Sequence, residues 1–118
     1  MSLLRHLARR ADWERALETG SYLPPGFADE RFIHLSTAET LPLPANLFFA
    51  RQDGLVLLWI DPDRLTAELR YEPGGGEVGD VLFPHLYGPL PVDAVVAVTP
   101  LEAWEPGAFV MPSAPEGW

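Results

Sequence analysis

The run LVLLWI at 55–60 constrains this chain's architecture more than any other segment. Six consecutive apolar residues lie between Asp53-Gly54 and Asp61-Pro62. They are far too few to cross a bilayer, and they lack the polar alternation of a half-exposed strand. They predict a buried central strand around which the other elements must pack. At 118 residues there is room for one domain, and 47% hydrophobic residues suffice to fold it without staples. Cysteine is absent, which excludes disulfides, a thiol nucleophile and a thiolate metal site.

Shorter elements fall on either side. LLRHLA, 3–8, predicts a first strand with His6 on the face of Leu4 and Ala8. Asp12 is placed to cap a helix carrying Trp13, Ala16 and Leu17 on one side, and Gly20 to end it. After the turn Pro24-Pro25-Gly26, RFIHL at 31–35 alternates Phe32, His34 and Ser36 against Arg31, Ile33 and Leu35. Ser36-Thr37-Ala38-Glu39 has the form of a capping box, so a helix start is expected there. Pro42 and Pro44 should interrupt that helix, which resumes through ANLFFA at 45–50. ELRYEP at 68–73 and AVVAVT at 94–99 read as strands, and GGGEVGD at 74–80 as a mobile loop. The expectation is a small single α+β domain over residues 1–104, followed by an extended or loosely docked Pro/Gly-rich tail, 105–118.

Eight basic against seventeen acidic residues give a net charge of −9, which disfavours DNA and anionic membranes. One small phosphate-bearing ligand held by a local arginine remains compatible with that charge. The N-terminus lacks the apolar core and cleavage site of a signal peptide, so the expected location is cytoplasmic.

The chemistry-bearing residues concentrate in two segments. His34 and Ser36, on one face at an expected helix start, offer an imidazole, a hydroxyl and free backbone N–H groups, with Thr37 beside them. In FPHLYGPL, 83–90, His85 and Tyr87 share a face, stiffened by Pro84 and Pro89, with Gly88 permitting a turn that side-chained residues resist. Glu72 ends the strand before the glycine run and is a candidate acid. The three histidines lack the spacing of a helical ligand pair, so no metal site is expected.

These motifs together resemble the bacterial domain-of-unknown-function family 952. The residues that carry the resemblance are His6, DWERALETGSY (12–22), RFIHLSTAE (31–39), ANLFFA (45–50), LVLLWIDPDRL (55–65), RYEP (70–73) and FPHLYGPLPVDAVVAV (83–98). The LPLP at 41–44 departs from the family's uninterrupted helix. That family is similar to the ADP-ribosyltransferase-like group, which implies a mixed, split β-sheet with short helices and a cleft for NAD. FIHLS also resembles a stretch of RNA 2′-phosphotransferases through His34, Leu35 and Ser36; Phe32 replaces their first histidine, and Arg31 is the one counterpart of their arginines.

The resemblance implies a small-molecule pocket of NAD or ADP-ribose type and the chemistry of an ADP-ribosyl or related transferase. His34, Glu72 and Tyr87 would then be catalytic, with His6, Arg31, Ser36, Thr37 and His85 holding the ligand. The alternative is a non-enzymatic interaction domain that presents aromatics such as Trp104 and Trp118 to a partner.

Overall fold

The computed structural model describes residues 2–118. LVLLWI is strand β4 (Leu55–Ile60), buried along its whole length and flanked on both edges. β1 (Leu4–Arg9) and β8 (Val95–Leu101) pair with it antiparallel, in the order β1-β4-β8. Strand alternation then sorts the apolar residues into two layers. Val56, Leu58 and Ile60, with Leu4 and Ala8, face one core shared with Trp13, Tyr22, Ile33, Leu35 and Leu86. Leu57 and Trp59, with Leu3 and Leu7, face a second core closed by Leu41 and Ala45.

The first core is covered by helix α1 (Arg10–Thr19) and by a second three-stranded sheet. That sheet runs β3 (Ile33–His34), β6 (Gly79–Leu86), β5 (Leu69–Gly75), again antiparallel. A two-residue pair, β2 (Ser21–Tyr22) with β7 (Leu90–Pro91), forms a third small sheet. The chain is thus an α+β domain of three small sheets. The mixed sheet implied by the resemblance is not what forms: every named strand pair is antiparallel. A parallel pair needs a long crossover, whereas β5 returns as β6 after three residues.

Several local expectations shift for identifiable reasons. α1 starts at Arg10, so Asp12 lies in its first turn, and Leu17 faces solvent at 55% exposure. No helix opens at Ser36. Thr37 and Thr40 bond reciprocally instead, each backbone N–H reaching the other's hydroxyl, and Ser36 bridges to β1. Helix α3 (Pro42–Phe48) follows without interruption, because Pro42 and Pro44 occupy its first turn, where N–H groups have no intrahelical acceptor. The glycine run is a hairpin tip, not a loose loop. Gly75, Gly76 and Gly79 take positive φ there and turn the chain directly from β5 into β6.

Beyond β8 the chain runs without regular structure, yet it is not loose over its first part. Phe109, Met111 and Trp104 pack on the second core, and the Asn46 side-chain oxygen accepts from the backbone N–H of Gly107 and Phe109. Trp104 is therefore half-buried, its indole N–H donating to the Ala45 carbonyl. Trp118 is 48% exposed. Among the described residues no helix is long and apolar enough to cross a membrane.

Candidate functional site

A cleft of about 600 Å³ opens where the outer face of β3 and β6 meets β1, α3 and the hairpin tip. Its polar lining comes from His6, Glu30, His34, Ser36 and Glu77, and its apolar walls from Phe32, Phe48, Phe49 and Phe83. The walls follow from alternation. Ile33, Leu35 and Leu86 point into the first core, so Phe32, His34, Phe83 and His85 must point away from it.

His6 is held on both ring nitrogens. Its Nδ1 lies 2.6 Å from the His34 carbonyl, which can only accept, so Nδ1 carries the proton. Nε2 is then the acceptor for the Tyr22 hydroxyl at 2.9 Å. Burial pushes the His6 pKa down to about 4, against a smaller raising effect from the His34 carbonyl. Burial likewise raises the Tyr22 pKa well above the ordinary phenol value. His6 is thus a neutral, tautomer-locked wall residue with no nitrogen free to take a substrate proton.

His34 is the accessible imidazole. Its Nε2 meets a Glu30 carboxylate oxygen at 2.6 Å, with both side chains about half exposed. Glu30 ends the short helix α2 (Phe27–Glu30), which follows the Pro24-Pro25-Gly26 turn.

His85, Glu72 and Tyr87 form a separate cluster on the same sheet face. One Glu72 oxygen accepts from both the Tyr87 hydroxyl and His85 Nδ1, the latter at 2.9 Å. These bonds, Tyr87's first, hold the Glu72 carboxyl below the usual carboxylate range, and the same contact raises the Tyr87 phenol. Arg70 lies over the Tyr87 ring at 4.6 Å. His85 is only 2% exposed: Phe32 stacks on it at 4.0 Å, and its Nε2 has no hydrogen-bond partner. The His34 ring meets it edge-on at 5.1 Å.

The eight residues singled out from sequence therefore separate. His6, His34 and Ser36 line the cleft; His85, Glu72 and Tyr87 stand behind Phe32, outside its lining. Thr37 faces a different hollow. Arg31 is exposed in a left-handed conformation, φ 70, ending α2 rather than opening a strand. The sequence reading missed Glu30 and the apolar walls Phe48, Phe49 and Phe83. Among the described residues no arginine lines the cleft. Among the described residues, no group of three or more His, Asp or Glu is arranged to hold a metal ion.

A small α+β domain with an aromatic-walled cleft and an imidazole–carboxylate pair in its lining is the class that fold and site define. The chain belongs to the family described as "Protein of unknown function (DUF952)", which matches residues 7–98. It is similar to protein CC0527 from Caulobacter crescentus. The crystal structure of that protein shares 32% identity and a TM-score of 0.78 over 90% of this chain and 91% of that one. Its solution NMR structure shares 35% identity and a TM-score of 0.69 over 86% of each. No curated protein matches the chain.

Proposed function

We propose that the cleft binds a small molecule with a planar ring and a hydroxyl-bearing part, and that the nicotinamide-riboside portion of NAD is the ligand of that kind to test first. The observation that carries this reading is the mixed lining of the cleft. Phenylalanine rings can enclose an aromatic ring, while His34, Glu30 and Ser36 offer hydrogen bonds beside them. Glu30 and Glu77 line the cleft and, among the described residues, no arginine does, which suits an electron-poor or cationic ring and gives a pyrophosphate no guanidinium partner within it. A dinucleotide would have to leave its phosphates outside.

The ADP-ribosyltransferase-like reading of the fold is supported by two small sheets flanking a cleft with an imidazole, a hydroxyl, aromatic faces and a carboxylate. On that reading nicotinamide leaves with the bonding pair of its bond to ribose. The Glu30 carboxylate steadies the oxocarbenium charge, and water or an acceptor hydroxyl adds to the ribose carbon as its proton is lost to base. Glu30 takes the role that the sequence suggested for Glu72, since Glu72 is already engaged by Tyr87 and His85.

Calorimetric titration with NAD and with nicotinamide riboside tests the binding claim. Saturable binding is expected for both, weakened roughly tenfold in Glu30→Gln by loss of a charged hydrogen-bond partner. Absence of heat with either ligand at millimolar concentration sinks it. Binding without release of nicotinamide would make this a ligand-binding domain and not a transferase. A second reading, an interaction domain, is favoured by the exposed apolar residues Leu43, Leu47 and Phe48 on α3. A partner captured by wild type but not by Phe48→Asp would support it.

A further inference from the structure

Arg5 is the neighbour of His6 on β1 and so points to the opposite side of the sheet, over the ring of Trp59 at 4.8 Å. It is 8% exposed, yet it takes part in none of the salt bridges formed among the described residues. Among the described residues its one side-chain hydrogen bond runs from Nη1 to the Leu3 carbonyl, and its Nε is buried with no partner. A guanidinium carries five N–H donors, and a buried cation is normally paired with a carboxylate or another anion. Trp59 supplies only its ring face, because its indole N–H is committed to Thr99. Arg5 borders a second hollow, of about 480 Å³, lined also by Thr37, Glu39, Tyr71 and Trp118. This hollow shares no lining residue with the cleft, so nothing about it depends on the function proposed above.

We propose that this hollow is an oxyanion site, in which the free N–H donors of Arg5 take one carboxylate or phosphate group of a small molecule, with Tyr71 and Trp118 as aromatic walls. The net charge of −9 does not oppose this strongly. At physiological salt the long-range field is screened within about 8 Å, whereas a guanidinium in a hollow acts at contact distance. Glu39 is the nearest obstacle. Its carboxylate is close enough to act on Arg5 electrostatically but does not bond to it, so it competes with an incoming anion.

The test is titration of the whole chain with inorganic phosphate, chloride keeping the ionic strength constant, while the Arg5 Nε–H and Trp59 indole signals are followed by NMR. Saturable shifts of both signals are expected in the wild type, the Trp59 shift being lost in Arg5→Gln and the response several-fold tighter in Glu39→Gln. Should Arg5→Gln fail to fold, the Glu39→Gln comparison decides alone. A parallel acetate titration separates the sources: an equal response assigns any oxyanion, a response to phosphate alone assigns a phosphate group. The proposal is overturned by non-saturating shifts, by a Trp59 shift that persists in Arg5→Gln, or by unchanged or weaker binding in Glu39→Gln.

Discussion

His6 illustrates what one buried titratable side chain does to the molecule. Its imidazole titrates near 6.5 when unconstrained and near 4 when folded, chiefly because burial opposes the charged form. Between those values the unfolded chain binds a proton that the folded chain refuses, so stability rises with pH. The contribution is complete above about pH 6.5 and falls by about 3 kcal/mol as pH drops toward 4. His6→Gln cannot titrate. The gap in unfolding free energy between wild type and this variant should therefore narrow by about 3 kcal/mol between neutral pH and about pH 4, measured by urea denaturation. A gap that stays constant would show that His6 titrates normally.

Alternation made His34 and Ser36 legible as neighbours on one face. It put His6 on the face of Leu4 and Ala8, and only the family resemblance pointed to a ligand there. Glu30 was not legible, because its approach to His34 depends on how α2 turns back. Sequence spacing says nothing of that turn.

Elements were legible where periodicity and boundary residues agreed, as for β1, β4 and β8. They were misjudged where one residue has two uses. Proline ends a helix in its interior but starts one in its first turn, and only the Thr37–Thr40 bonds show which applies to Pro42 and Pro44. Gly88 is a similar case. It looked like a turn glycine, yet its φ is not positive; a Cβ there would lie 2.6 Å from the Ala67 Cβ. Space and not backbone freedom excludes a side chain, so Gly88→Ala should destabilise by about 1–3 kcal/mol. Adding Ala67→Gly should restore part of that loss in chemical denaturation, less the cost of the new glycine. Lack of any rescue would place the constraint in the backbone.

For the whole molecule, composition and length indicated one α+β domain, but no sequence pattern told which strands pair. His34 lies directly opposite His85 across β3 and β6, residues 51 positions apart in number. The tail was also opaque, since Pro and Gly mark irregular backbone without revealing whether neighbouring apolar residues dock. Phe109 and Met111 do dock. Deleting residues 105–118 should therefore lower the unfolding free energy by on the order of 3 kcal/mol, from lost apolar burial and the freed Asn46 oxygen. An unchanged denaturation midpoint would mean that the tail contributes nothing to the fold.

The strand LVLLWI has one further consequence. Because alternate side chains of β4 belong to different cores, withdrawing that strand strips a wall from both at once. Neither half can melt while the other stays intact, which ties the fate of every layer to six residues and makes loss of structure an all-or-none event.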